Sequence, residues 1–167
     1  SNTTAGNNTA LGYDALFANT TGANNTAVGK DSLTANTTGT QNIAVGAFAG
    51  DAIDTANYNT AMGYAALSAD SGDANVAIGR CALNANTSSN NVGIGYHSLC
   101  ANTSGSNNTA VGLNSLTANT TGANNVSVGR QALCANTTAT CNTGIGDRTL
   151  CANTTGVDNT AVGSFAL

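Results

Sequence analysis

The sequence predicts an all-β protein: a parallel β-solenoid (β-roll) of about ten coils of 16–17 residues, one repeat per coil, running through residues 1–167 as a single continuous array. The first observation is a glycine that returns at fixed spacing. Gly12, Gly29, Gly46, Gly63, Gly79, Gly95, Gly112, Gly129, Gly146 and Gly163 are separated by 17, 17, 17, 16, 16, 17, 17, 17 and 17 residues. A period near 17 is too short for a pair of helices and suits one solenoid turn. The second is the residue immediately before each glycine, which is Val, Ile, Leu or Met in every copy. The third is composition: Asn and Thr number 26 each, Pro and Trp are absent, and charged residues make up 7%. Disordered chains are poor in apolar residues and rich in Pro, Glu and Lys, so regular apolar spacing here points to order.

The repeat is read from Asn24-Asn25-Thr26-Ala27-Val28-Gly29 and the stretch Lys30-Asp31-Ser32-Leu33-Thr34-Ala35-Asn36 that follows it. Four residues before each glycine stands an asparagine: Asn8, Asn25, Asn42, Asn59, Asn75, Asn91, Asn108, Asn125, Asn142 and Asn159. Coils stacked in register bring these side chains ~4.8 Å apart, close enough for an amide ladder. The residues three and one before the glycine share one face of a strand, and β-branching there suits a strand. That face is expected to be the core. The residue between them is Ala, Gly or Ser in all copies (Ala10, Ala27, Ala44, Ala61, Ala77, Gly93, Ala110, Ser127, Gly144, Ala161). Its small size on the opposite face suggests close approach of a second or third chain; the alternative is a tight roll that Ala merely tolerates.

After the glycine come two variable positions, an exposed bend, and then Leu16, Leu33, Leu67, Leu83, Leu99, Leu116, Leu133, Leu150 or Leu167. Leu and the Ala two residues later are expected to form the opposing strand. The second corner is Asn-Thr-Thr-Gly, built from residues that bond their own backbone or accept positive φ. The two 16-residue periods should lose their residue in a corner. In the third coil Gly50 replaces the core Leu, so either Phe48 swings inward or a small void remains. Ten coils would rise roughly 48 Å, each touching only its neighbours, with uncapped β-edges that invite stacking. The array reads as an excerpt of a longer fibre, since it has no initiator Met and both ends cut into the repeat.

Net charge is −4, so no basic surface is available to neutralise phosphates, and nucleic acid is not an expected partner. No apolar run approaches the ~20 residues of a spanning helix. Asn-x-Ser/Thr sequons abound, and those at the corners (Asn19, Asn36, Asn86, Asn102, Asn119, Asn136, Asn153) are candidate glycosylation sites; the plainer reading is that a stacked turn simply wants Asn-Thr. Cys134, Cys141 and Cys151 are candidate disulfide partners, either Cys134 with Cys151 on adjacent coils or Cys134 with Cys141 across one corner. Asp54, Asp70 and Asp73, with Asp51 nearby, could offer stacked oxygens to Ca²⁺; the favoured reading is that they keep a low-charge fibre soluble. No cofactor site is read, no Ser-His-Asp or Cys-His arrangement can be built around His97, and the tyrosines Tyr13, Tyr64 and Tyr96 are scattered bend residues. A lyase-like or depolymerase site would need clustered carboxylates and Arg, and only Asp147 and Arg148 adjoin.

The pattern Asn-Thr-Ala-Val-Gly followed by Ala-Leu resembles the head repeats of trimeric autotransporter adhesins, the YadA-type β-roll, and related Asn/Thr-rich repeats of viral fibres and bacterial surface proteins. It covers the whole chain. The resemblance implies an extracellular or virion-surface fibre, often trimeric, and in the adhesins binding to a host surface. The expected function is therefore a non-enzymatic structural or adhesive fibre segment that self-associates as a homotrimer or end to end. A viral tail or surface-fibre shaft is one alternative. An ice- or surface-binding solenoid is another, expected to show outward Thr at strand positions, whereas Thr is here expected in corners or on the core face.

Overall fold

The structure is a computed structural model that describes residues 4–167. It is a parallel β-solenoid of ten three-residue strands: β1 (Thr9–Leu11), β2 (Thr26–Val28), β3 (Ile43–Val45), β4 (Thr60–Met62), β5 (Val76–Ile78), β6 (Val92–Ile94), β7 (Thr109–Val111), β8 (Val126–Val128), β9 (Thr143–Ile145) and β10 (Thr160–Val162). They form one sheet in sequence order, and equivalent repeat positions pair throughout, as Ala27 does with Ala44 and Val28 with Val45. The 16-residue periods keep this register, with Thr60 opposite Val76 and Val76 opposite Val92. Each short coil loses its residue in the second corner, since Asn75 follows Leu67 by eight positions where Asn42 follows Leu33 by nine. Among the described residues no helix is long and apolar enough to cross a membrane.

The strand faces inward with its small residue, the reverse of the expected orientation. Ala27, Ala44, Ala77 and Ala110 are fully buried, while Ile43, Met62, Ile78, Val126 and Ile145 are exposed on the other side. The reason is the Leu of each coil, which reaches beneath the middle residue of the next strand. A Cβ on Gly93 would lie 3.0 Å from Leu83 Cγ and 3.2 Å from Ser98 Oγ. Nothing larger than Ala or Ser fits above the Leu, so the small size serves the chain's own core. The residue before the Leu is also small, and it is buried at Ser32, Ala66, Ala82, Ser98, Ser115, Ala132 and Thr149, as is Ala49 before Gly50.

No second strand forms at the Leu either. Leu33 and Leu133 have φ of 48°, and the other core leucines lie between 51° and 53°. This left-handed conformation costs an L-residue roughly 1–2 kcal/mol. Full burial of a Leu side chain is worth ~1.5–3 kcal/mol, enough to offset it. The backbone is satisfied from coil to coil without β geometry: Leu33 N–H donates to Ala49 O at 3.1 Å, Leu67 to Ala82 O at 3.0 Å and Leu133 to Thr149 O at 2.9 Å. Two more left-handed residues occur per coil, one before the ladder asparagine and one in the bend, as at Asn24 and Asp31. The repeat glycine is the extreme case. Gly63 has φ of 132°, and a Cβ there would lie 2.7 Å from the carbonyl oxygen of Gly79. Both conformation and stacking exclude a side chain.

In the third coil Phe48 stays outside, half-exposed and edge-on to Tyr64 with ring centroids 5.8 Å apart. No void is left by Gly50, because Ile53 turns in and is fully buried.

Candidate functional site

Two asparagine columns run through the interior. In the first, the carboxamide oxygen of each asparagine accepts the backbone N–H of the next: Asn25 N–H donates to Asn8 Oδ1 at 2.8 Å, Asn42 to Asn25 at 2.9 Å, and so on to Asn159 on Asn142 at 3.0 Å. Asn59, Asn75, Asn91, Asn108 and Asn125 continue the same chain of bonds. The Nδ2 group crosses to the opposite corner, as Asn25 does to Gly39 O at 2.7 Å and Asn108 to Gly122 O at 2.8 Å. Most of these amides thus clip a strand to the facing corner and to the adjacent coil, where an unpaired buried polar group would cost ~1–3 kcal/mol; the buried Asn59 Nδ2 is the exception.

The second column corrects the glycosylation expectation. Asn19, Asn36, Asn86, Asn102, Asn119 and Asn136 are buried and Asn153 is half-buried. Their Nδ2 atoms, where a glycan would attach, are spent inside: Asn36 donates to Asn19 Oδ1 at 2.9 Å, Asn119 to Asn102 Oδ1 at 2.8 Å, and Asn153 to Gly156 O at 2.9 Å. A side chain this short at a turn reads as exposed until its coil is closed. The sequon asparagines that do face solvent are Asn7, Asn24 and Asn107. The sequon at Asn2 lies outside the described residues.

The three aspartates at the metal position serve the corners. Asp54 Oδ1 accepts from Thr37 Oγ1, Asp70 Oδ1 from Asp54 N–H at 3.3 Å, and Asp73 Oδ1 from Asn57 N–H at 2.7 Å. Among the described residues no three His, Cys or Asp side chains gather to hold a metal ion. All five cysteines are free thiols. Cys134 Sγ donates to Cys151 O at 3.6 Å rather than meeting either proposed partner, and burial, followed by the neighbouring Cys151, pushes its thiol pKa up. Cys141 is exposed.

Two outer surfaces remain. One is the sheet face, formed by the first and third residue of every strand. Its twenty positions carry only Thr, Val, Ile, Leu and Met. Thr9, Thr26, Thr60, Thr109, Thr143 and Thr160 stand in one column and the aliphatic residues before the glycines in the other. Exposure is greatest at the ends, 68% at Leu11 and 69% at Val162. The earlier placement of these threonines on the core face is therefore overturned.

The other surface is the bend ridge, made by the two residues after each repeat glycine. All four cations of the chain, Lys30, Arg80, Arg130 and Arg148, lie on it, with Tyr13, Tyr64, Tyr96, Phe48, Phe165 and His97. These are not scattered. Lys30 Nζ sits 4.8 Å from the centroid of Phe48, Phe48 meets Tyr64, and Arg80 Cζ lies 5.7 Å from the Tyr64 ring and 5.5 Å from that of Tyr96. Tyr96 in turn stacks on His97, centroids 4.1 Å apart. Stacking of coils turns a period of 17 residues into neighbours, which spacing along the chain conceals.

The cations differ in their partners. Lys30 pairs with Asp31 at 3.0 Å. Arg130 holds Asp147 through Nε at 2.8 Å and Nη2 at 3.0 Å, so Asp147 faces Arg130 rather than its sequence neighbour Arg148. Arg148 Nε donates to Gln131 Oε1 at 2.9 Å. Arg80 uses only Nη1, which donates to Tyr96 Oη at 3.1 Å and lies 3.4 Å from His97 Nε2. No cavity opens in the rod among the described residues. Comparison with family models, curated proteins and solved structures returns no match.

Proposed function

We propose that the chain is a non-enzymatic segment of an extracellular structural or adhesive fibre whose rods pack side by side through the outer sheet face. The observation that carries this reading is the twenty-position outward face without a single charged side chain across all ten strands. Monomeric soluble proteins rarely leave so continuous an apolar patch uncovered. A second copy presents the same two stripes at the same spacing, so the faces can mesh along their whole length. β1 and β10 each pair on one side only, which leaves edges for end-to-end growth as well. The extracellular setting, shared by a cell-surface fibre and a viral shaft, rests on the resemblance of the Asn-Thr-Ala-Val-Gly copies to surface-fibre repeats.

Sedimentation and electron microscopy of the purified chain test the reading. Rods of more than one chain are expected, and Ile78→Asp with Val111→Asp should disperse them while circular dichroism stays unchanged. Rods that remain single chains at high concentration overturn lateral packing; compact particles overturn the fibre.

One observation favours a second reading. Six of the ten first-residue positions on the outer face are threonines, and Thr9 with Thr26 and Thr143 with Thr160 stand on neighbouring strands at the ~4.8 Å strand spacing. Such an array also suits an ordered water or crystal surface. Thermal hysteresis that is abolished by Thr109→Tyr would support it, and its absence at millimolar protein ends it.

A further inference from the structure

We propose that the bend ridge centred on Arg80 is a docking surface for a carboxylate-bearing saccharide chain. The chain carries its own template for the contact. Arg130 and Arg80 occupy the same repeat position, directly after Gly129 and Gly79. Arg130 turns its Nε and Nη2 edge to the carboxylate of Asp147 in the next coil, a bidentate pair. In the coil after Arg80 the equivalent position is Tyr96, so the same edge of Arg80 has no acceptor among the described residues. Its guanidinium is held by the Tyr96 hydroxyl and by the rings of Tyr64 and Tyr96, leaving the fork turned to solvent.

Charge supports an anionic partner. The bends from Ala47 to Asn114 contain Arg80 and His97 and no carboxylate, although the chain as a whole has net charge −4. The ridge is thus a local site for an anion on a surface that otherwise repels one. Two features favour a saccharide over an acidic peptide. No cavity is present to seat side-chain anchors, and the ridge is not a strand edge, so the common peptide-binding modes lack a foothold. Tyr64, 51% exposed, and Tyr96, 44% exposed, flank the guanidinium and offer ring surface on which the C–H face of a sugar packs. The sugar carboxylate then takes the position that Asp147 takes on Arg130.

The test is calorimetric titration of the full chain with a galacturonate oligosaccharide, a neutral glucose oligosaccharide of equal length and poly-glutamate. Wild-type protein should bind the galacturonate chain, in a salt-dependent way, and neither of the others comparably. Arg80→Ala should weaken binding about tenfold or more. Arg80→Lys, which keeps the charge and loses the fork, should weaken it measurably, and Arg130→Ala should leave it unchanged. Absence of galacturonate binding, or binding indifferent to Arg80→Ala, overturns the proposal. Equal affinity for poly-glutamate overturns the saccharide assignment, and equal affinity for the neutral chain overturns the role of the carboxylate.

Discussion

Ile53 occupies the space that the missing side chain of Gly50 leaves: a Cβ on Gly50 would lie 3.0 Å from Ile53 Cδ1 and 3.2 Å from Leu33 Cδ2. Gly50 keeps the left-handed φ of the leucines it replaces, 57°. Ile53 stands where seven other coils have the second-column asparagine and the fourth coil has Asp70. The third coil has therefore exchanged an inward Leu and an amide for a Gly and an inward Ile. The exchange interrupts the amide column, and Asn36 Oδ1, which in the regular coils would accept the next amide, is buried without a partner. The other orphaned buried atoms, Asp51 Oδ1, Asn59 Nδ2 and Ser71 Oγ, lie in the same part of the rod.

The two positions should therefore be strongly coupled. Gly50→Leu alone overpacks against Ile53 and is expected to cost ~1–3 kcal/mol. Ile53→Asn alone empties the site and should cost ~2–5 kcal/mol. Together they restore the regular repeat and give Asn36 an amide partner, so the double variant should be at least as stable as the parent. Thermal unfolding of the four proteins measures this; additive losses would refute the exchange.

The inward strand position is tested by a neighbouring pair. Ala110 is fully buried against the Leu column, and Val111 points out. Ala110→Val should lose ~1–3 kcal/mol by overpacking. Val111→Thr should stay within about 0.5 kcal/mol in a dispersed, single-chain background. Denaturant midpoints in that background would show the opposite order if the small residue faced outward.

Asp51 predicts a pH dependence. Burial raises its pKa above 3.8, Asp31 adds to the rise, and a bond from Ser68 offsets part of it. The native state then holds the proton more tightly than the unfolded chain. The contribution of this group to stability is present below about pH 3.8 and is lost as pH rises through the higher folded value. Asp51→Asn should therefore raise the melting temperature at pH 7, and the gain should vanish near pH 3. A gain that persists at pH 3 would exclude the ionisation of Asp51 as its source.

Glycan mapping separates the two kinds of sequon. Secreted from a glycosylating host, the chain should carry glycans at solvent-facing Asn24 and Asn107 and none at Asn36, Asn102, Asn119 or Asn136. Peptide mass spectrometry after enzymatic deglycosylation in heavy-oxygen water reads each position. Occupancy of Asn119 would mean that its coil is modified before it closes.

The sequence by itself determined the solenoid. A glycine every 16 or 17 residues, with an asparagine four before it and an aliphatic residue one before it, forces identical coils to stack in register, and a stacked coil has no other way to pair its backbone. It also placed the irregular coil at Gly50. Which strand face turns inward was a tertiary decision. Alternation says that Thr26 and Val28 share a side and Ala27 the other, but the choice of side depends on what arrives from across the coil. Leu16, Leu33 and their equivalents arrive in a left-handed conformation that no local preference of Leu announces, and they fill the space so fully that only Ala, Gly or Ser fits opposite. The same closure drew Asn36 and Asn119 inside and left the threonines out. It also brought Arg80 between Tyr64 and Tyr96, each 16 positions from it in the chain and one coil away in the rod.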